Sequence, residues 1–214
     1  MNSVQKLIYK LDKHTPLFKY IETKRANWFE KNFSVREWFK NNPSVIDLGS
    51  GVGDVTRILQ KYTSKRIIGL DITDFRRLEN KEIDYFDFII GDCKNLPFSD
   101  NTFETVTVLW TLHHISDPFI VLQEINRILK PTGQLIILED LIERDNALNK
   151  WTTQIYDKII NLEFSSHPHS NLSLKEWNSL ITINFPFRAI ELKSTPWFTP
   201  WKILRFGLLR FIKL

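Results

Sequence analysis

Val45-Ile46-Asp47-Leu48-Gly49-Ser50-Gly51-Val52-Gly53-Asp54 is the stretch on which the reading of this chain turns. Residues suited to a buried strand run into three glycines at GxGxG spacing, and Val55, Ile58 and Leu59 then repeat at helical spacing. The glycines therefore sit at a strand-to-helix junction. There a glycine backbone can take positive φ and let a ligand approach closely, while the free N–H groups and positive dipole end of the next helix face that ligand. Asp54 stands where a dinucleotide fingerprint places its third glycine, and no Gly-Lys-Ser/Thr follows, so neither a pyrophosphate loop nor a P-loop is indicated. Asp47, on the strand just before the turn, puts a carboxylate beside the ligand. That suits an ammonium or the loop N–H groups better than a phosphate, and a cationic or zwitterionic ligand is expected.

Working outward, strand and helix patterns alternate. Asn41-Asn42-Pro43-Ser44 is a turn leading to the strand at Val45, and Gly53 to Gln60 reads as the first core helix. Arg66 to Asp71, Tyr85 to Ile90 and Thr105 to Trp110 read as further strands. Pro118 opens a helix carrying Ile120, Val121, Ile125, Ile128 and Leu129, which Lys130-Pro131-Thr132-Gly133 stops before a fifth strand at Gln134 to Leu138. This order predicts an α/β fold, a Rossmann-like doubly wound, seven-stranded, mostly parallel sheet with ligands at the carboxyl ends of its strands. Asp47, Asp71, Asp92, Trp110 and the Glu139-Asp140 pair fall near such ends.

Residues 2–40 read as an N-terminal helical cap, with Leu7, Ile8 and Leu11 on one face, Trp28, Phe29 and Phe33 on another, and Pro16 between the groups. Asn146 to Phe164 reads as a long helix with an apolar stripe of Leu148, Trp151, Ile155, Ile159 and Leu162. Ser173-Leu174-Lys175-Glu176 is a capping box opening a shorter helix, and Phe187 to Leu192 reads as a sixth strand. Ile203 to Leu214 fits either a strand or a helix and is assigned to a strand on fold grounds. The whole is expected to be one domain over 1–214, divided into the cap (1–40), a cofactor-binding core (41–140) and a substrate side (141–214).

The 214 residues suffice for a substantial core, and the apolar runs fall far short of the ~18 residues of a membrane span. Neither a signal peptide nor a transmembrane helix is predicted. A single cysteine, Cys93, excludes an internal disulfide and a cysteine metal cluster and fits a reducing, cytoplasmic setting. The net charge is +4, distributed as +5 over residues 1–40, −5 over 41–194 and +4 over 195–214. An acidic body with basic, aromatic-rich ends argues against nucleic acid, which selects a basic stripe over the body. Lys202, Arg205, Arg210 and Lys213, with their aromatic neighbours, suit peripheral membrane contact or a greasy or anionic substrate, although a solvated basic rim is equally in keeping. The sequence sets no oligomeric state.

Several motifs in order give a more specific result. From Pro43 to Asp140 the chain resembles the class I S-adenosylmethionine-dependent methyltransferases, in particular the small-molecule group of ubiquinone and menaquinone biosynthesis. Val45 to Gly53 is similar to the family's first motif, which implies that Asp47, Gly49, Ser50, Gly51 and Gly53 lie against the amino-acid moiety and ribose of the cofactor. The resemblance places Asp71 on the ribose hydroxyls and Ile72 on the adenine. Gly91 to Asp100 resembles the segment after the third strand, giving Asp92 to the adenine amino group and the Cys93 backbone N–H to the ring. Leu109-Trp110-Thr111-Leu112-His113-His114 is similar to the stretch where a backbone carbonyl, here of Leu109 or Trp110, meets the methionine ammonium. Lys130-Pro131-Thr132-Gly133 resembles the family's Lys-Pro-Gly-Gly turn, with Thr132 a departure. Asp47 as a helix-cap partner and Asp71 as an ordinary strand-end acid are the plainer readings, but they must hold together with Asp92 and all three glycines.

The implied reaction is transfer of a methyl group from S-adenosylmethionine to a small-molecule acceptor, an in-line displacement in which most catalysis comes from holding the reactants aligned and dry. For a hydroxyl or carbon acid a base is needed, and His113 or His114 is the nearest candidate, the alternative being a pair that only holds its loop. His167 and His169 lie in a further loop. The family builds its acceptor pocket from segments matching 1–40 and 140–185, where Asp140, Asp157 and Asn161 are the polar residues of interest and the Trp and Phe content suggests an apolar or aromatic acceptor. Glu139 and Asp140 faintly suggest a metal site, which two ordinary strand-end acids explain as well, and no metal ligand is assigned. The competing readings are an RNA or protein methyltransferase, for which no Asn-Pro-Pro-Tyr-type segment follows the fourth strand, a non-catalytic cofactor-binding partner, and an NAD-dependent enzyme.

Overall fold

The computed structural model describes residues 15–143, 146–160, 170–196 and 204–214. The expectations for Leu7, Ile8, Leu11, Asn161, Leu162, His167, His169 and Lys202, and for the side chains of Asp157 and Ile159, lie outside the described residues. The chain forms two compact units divided between Cys93 and Lys94.

In the first unit, Thr15 caps helix α1 (Pro16–Asn32) by accepting the Phe18 N–H on its hydroxyl, and Pro16 occupies the first turn, where its missing N–H costs nothing. Pro16 thus opens a helix of the cap rather than only separating two. The chain turns at Phe33 into α2 (Val35–Trp38). Rings of Trp28, Phe29, Phe33 and Trp38 interlock edge to face there, Trp28 on Phe33 at 5.5 Å and Phe29 on Trp38 at 5.8 Å between centroids. Strand β1 (Val45–Leu48) is buried at every position, as expected of a strand covered on both faces. It pairs in parallel with β2 (Ile68–Asp71), Leu48 opposite Leu70, and β2 pairs in parallel with β3 (Asp87–Ile90), Asp71 opposite Ile90. Helix α3 (Asp54–Gln60) follows the glycine loop, and α4 (Leu78–Glu82) lies between β2 and β3 in sequence. Glu30 of α1 accepts from Lys61 and from the Tyr62 hydroxyl just after α3, tying the cap to this helix.

In the second unit, β4 (Phe103–Leu109) is followed by a single 3-10 turn, Leu112–His114, and by α5 (Pro118–Ile128), capped by Asp117. Leu129 leaves the helix in an extended conformation and begins β5 (Leu129–Asp140), so the Lys130 to Gly133 stop signal lies within an irregular strand start, with Thr132 at φ 61°. Beyond that irregularity β4 and β5 run parallel from Thr105 opposite Gln134 to Leu109 opposite Leu138. Helix α6 (Ala147–Ile160) and helix α7 (Leu174–Asn184) follow, the latter opened by the Ser173–Glu176 capping box, both halves of which form. The unit closes with β6 (Phe187–Pro196) and β7 (Arg205–Lys213), an antiparallel pair whose second strand also runs antiparallel to β5. The seven strands make a Rossmann-like α/β sheet, mostly parallel with this one antiparallel hairpin.

The last segment is therefore a strand. Phe206, Leu208, Leu209 and Phe211 are all buried, and this two-sided burial is what made its apolar density ambiguous. Its basic residues have partners inside the unit: Arg205 donates to the Ser194 hydroxyl and pairs with Glu143, Arg210 bridges Gln134 and Glu191, and Lys213 donates to the Asn126 and Leu129 carbonyls. In α6 the polar side is the buried one. Asn149 accepts the Glu143 N–H at 2.7 Å and the Thr153 hydroxyl reaches the Leu141 carbonyl, while Leu148 and Trp151 are 55% and 61% exposed. Among the described residues no helix is long and apolar enough to cross a membrane.

Candidate active site

The glycine loop takes the conformation its composition invites. Gly49, Gly51 and Gly53 all have positive φ. At Gly51 (φ +52°) the constraint is the backbone alone, because a side chain would meet nothing nearer than the Gly49 carbonyl at 4.0 Å. Space is left open there for a ligand. At Gly53 (φ +83°) a Cβ would stand 3.0 Å from the Phe86 ring and 3.2 Å from the Asn80 amide, so close packing adds to the backbone requirement.

Carboxylates fix this loop from three sides. Asp47, 3% exposed at the centre of β1, accepts the Thr56 hydroxyl of α3 at 2.5 Å, so it ties the strand before the loop to the helix after it. Asp71, at the end of β2, accepts the Gly51 N–H at 2.8 Å on one oxygen and the Ile72 N–H on the other. Burial, assisted by the nearby Asp47 charge, pushes the Asp71 carboxyl up to about 6 against the lowering effect of these N–H donors. Asp54, 5% exposed at the start of α3, is held by Arg77 at 2.7 Å and by the Asn80 amide at 2.9 Å, and Asn80 also donates to the Val52 carbonyl of the loop. Burial raises the Asp54 carboxyl and the Arg77 guanidinium opposes that.

Ile72, beside Asp71, is half exposed although apolar, which leaves it available to a ligand's flat face. Gly91 donates to the Asp71 carbonyl, so Asp92 and Cys93 leave β3 next to the end of β2, both partly exposed. The Cys93 thiol is free of any disulfide. The first unit thus gathers Asp47, Gly49, Ser50, Gly51, Gly53, Asp71 and Ile72 around one loop, with Asp92 and Cys93 one strand further.

The second unit carries the other predicted residues. The Leu109 carbonyl accepts the Thr111 hydroxyl at 3.1 Å, and Trp110 takes φ 54°, a left-handed backbone that a bulky residue adopts only when its surroundings impose it. Those surroundings are an N–H bond to the Leu138 carbonyl and an edge-on contact with Phe206 at 5.2 Å. His113 is 1% exposed, and its Nδ1 bonds the fully buried Glu139 carboxylate. The second Glu139 oxygen accepts the Thr111 and Leu112 N–H groups at 3.0 and 2.7 Å. His113 Nε2 lies 3.8 Å from an Asp140 oxygen, and the His114 ring, partly exposed, is tilted against the His113 ring at 4.1 Å. The Ser170 hydroxyl lies within hydrogen-bond reach of the His113 and Ile115 carbonyls. Among the described residues no group of three or more His, Cys, Asp or Glu is arranged to hold a metal ion.

The chain is similar to known methyltransferases. A family described as a methyltransferase domain matches residues 46–137. A demethylmenaquinone methyltransferase of Staphylococcus aureus is 30% identical over 169 residues, 76% of this chain and 68% of that protein. The chain belongs to the class I S-adenosylmethionine-dependent methyltransferases. A demethylmenaquinone methyltransferase of Thermotoga maritima is 41% identical over 101 residues, 46% of this chain and 44% of the relative, so the match there spans less than half of that protein's length. A SAM-dependent methyltransferase of Methanosarcina mazei superposes with a TM-score of 0.65 over 84% of this chain and 96% of that one, at 18% identity, which speaks to the fold alone.

The residues of the first unit fit the cofactor of this family. The space at Gly51, the buried Ser50 hydroxyl with no hydrogen-bond partner among the described residues, and the Asp71 carboxylate are the features a ribose with hydroxyl donors would use. Sequence reasoning missed Thr56, Arg77 and Asn80, which brace the loop without touching its motif, and the contact of Glu139 with His113. Asn171, 5% exposed with its Oδ1 buried and unbonded among the described residues, was missed as well. No spacing marks these positions, because each is brought in by the fold from a separate segment.

Proposed function

We propose that this chain is a single methyltransferase domain that transfers the methyl group of S-adenosylmethionine to a small, apolar, aromatic acceptor of the quinol class, the hydroxyl-bearing ring being deprotonated by His113. When bound, the cofactor supplies an electrophilic methyl carbon on a sulfonium. In this reading Gly49, Ser50, Gly51 and Gly53 cradle it, Asp71 receives its ribose hydroxyls, Ile72 packs on the adenine, and Asp92 with the Cys93 N–H meets the adenine edge. Asp47 keeps the loop in place through Thr56. Leu109 and Trp110 offer their carbonyls to the ammonium group. His113 would take one proton from the acceptor hydroxyl, with His114 flanking the base, and the loop and turn would hold acceptor and methyl donor aligned and dry.

The observation that carries the reading is the Asp71 carboxylate held on the Gly51 N–H at the end of β2, a preformed acceptor beside an open glycine turn. The quinol class is taken from relatives whose names say they act on demethylmenaquinone. Calorimetry with S-adenosylmethionine, S-adenosylhomocysteine and NAD, followed by product analysis with a short-chain demethylated naphthoquinol, tests it. Binding of NAD without binding of S-adenosylmethionine would refute the cofactor assignment, and cofactor binding without methyl transfer would refute the acceptor. Peripheral membrane contact through the C-terminal segment stays a proposal. Co-sedimentation with anionic vesicles tests it: binding that falls when Arg205 and Lys213 are neutralised supports the contact, and no binding by the native chain refutes it.

A further inference from the structure

Glu139 ends β5 with no solvent exposure, and its carboxylate is used on both oxygens. One oxygen accepts two consecutive backbone N–H groups, of Thr111 and Leu112, and so fixes the turn that carries His113. The other faces His113 Nδ1. A carboxylate that already accepts two N–H groups is best served as the anion, which accepts hydrogen bonds and donates none; the imidazole then presents Nδ1–H to it and keeps the lone pair of the neutral ring on Nε2. That nitrogen looks toward Asp140 at 3.8 Å, beyond direct bonding yet close enough for the carboxylate to favour a proton arriving there.

We propose that Glu139 is the positioning residue of this methyltransferase: it selects the Nδ1–H tautomer of His113, orients the ring, and with Asp140 stabilises the imidazolium that forms when Nε2 takes the acceptor's hydroxyl proton. The step balances as one proton moved from acceptor oxygen to Nε2, with Nδ1–H retained on Glu139. Among the described residues, Glu139 and Asp140 from β5 and His114 from the same turn are charged or titratable groups that face the ring. A merely structural Glu139 would hold the Thr111 and Leu112 amides and leave the ring's tautomer without consequence.

Glu139→Gln separates the two. Its carbonyl oxygen can still accept both backbone N–H groups, so the turn is kept, while its NH2 must donate to Nδ1 and drives the ring proton to Nε2. The inference rests on His113 as the base proposed above, but its first readout needs no acceptor. Side-chain 15N shifts of the five histidines, assigned by single substitution and followed from pH 6 to 9, should show neutral His113 as the Nδ1–H tautomer in the native chain and as Nε2–H in the variant. An Nε2–H tautomer in the native chain overturns the proposal even if the variant fails to fold. The second readout is turnover of the short-chain naphthoquinol: kcat should fall by about 10²- to 10⁴-fold, as when a base is held in the wrong tautomer, with the cofactor Kd within about threefold of native. A flipped tautomer with unchanged kcat and unchanged pH profile also overturns it. A native chain that shows the Nδ1–H tautomer but methylates no quinol refutes the acceptor class above and supports only the selection of the tautomer by Glu139.

Discussion

The strongest test of the cofactor assignment is the pH dependence of binding, because one group should dominate it. Asp71 sits at the end of β2 with its carboxyl pushed up to about 6 by burial, the Asp47 charge adding to the effect and the Gly51 and Ile72 N–H groups opposing it. Ribose hydroxyls are donors toward a carboxylate, so binding selects the ionised form and must expel any proton present. For a single site the apparent Kd then rises by the factor 1 + 10^(pKa − pH). This is negligible at pH 8, about twofold at pH 6 and about 11-fold at pH 5, or ~1.4 kcal/mol. Asp71→Asn should remove this dependence and weaken binding at pH 8 by roughly 10- to 100-fold, the worth of one charge-assisted hydrogen bond. Folding of the cofactor-free protein goes the other way. The folded state holds this proton more tightly than the unfolded chain, so the contribution of Asp71 to stability is most favourable below the ordinary carboxylate range and is lost as pH rises toward about 6. Asp71→Asn should therefore raise the Tm of the cofactor-free protein at pH 7, less than the full shift implies because the side chain keeps some solvent contact. Titration calorimetry from pH 5 to 8 on both proteins reads the first effect and thermal unfolding the second. A native Kd that is flat between pH 5 and 8, or a variant that keeps the native slope, refutes the role given to Asp71.

The loop's supports give further expectations. Gly53→Ala places a methyl 3.0 Å from the Phe86 ring on a backbone at φ +83°, so a loss of about 1–3 kcal/mol in unfolding free energy and a weakened cofactor Kd are expected in denaturant titration and calorimetry. Arg77→Met strands the buried Asp54 carboxylate and should cost about 3–5 kcal/mol, whereas Asp54→Asn combined with Arg77→Met should recover part of it, as a double-mutant cycle on unfolding would show. Cys93→Ala, which preserves the backbone N–H assigned to the adenine, should leave the cofactor Kd within about twofold, and a larger loss would mean that the thiol itself takes part.

Local patterns carried most of the fold because the strands here are short, apolar and bounded by clear turn chemistry. Val45 to Leu48 had to be a strand once three glycines and a helical repeat followed it, and Ser173 to Glu176 announced α7 because both halves of a capping box are encoded within four residues. Where the pattern misled, tertiary context decided. The apolar stripe of α6 suggested a core-facing side, yet Asn149 and Thr153 turn inward because the chain leaving β5 brings the Glu143 N–H and the Leu141 carbonyl to them, and buried backbone groups must be satisfied. In the antiparallel strand between β5 and β6 the long side chains of Arg210 and Lys213 find Gln134, Glu191 and the end of α5, pairings that no local pattern announces.

The candidate site divides along the same line. The glycines with Asp47 and Asp71 were legible as a candidate loop because the spacing of the turn and the strand ends marks them along the chain. Thr56 against Asp47, Asn80 and Arg77 against Asp54, and Glu139 against His113 were not, since each pairing joins segments from 9 to 26 residues apart and appears only when the strands are laid side by side. The His113-His114 pair makes the point most sharply. Sequence treats the two as equivalent candidates for a base, whereas the fold buries one against two carboxylates and leaves the other partly in solvent, a difference made by β5 and not by the turn itself.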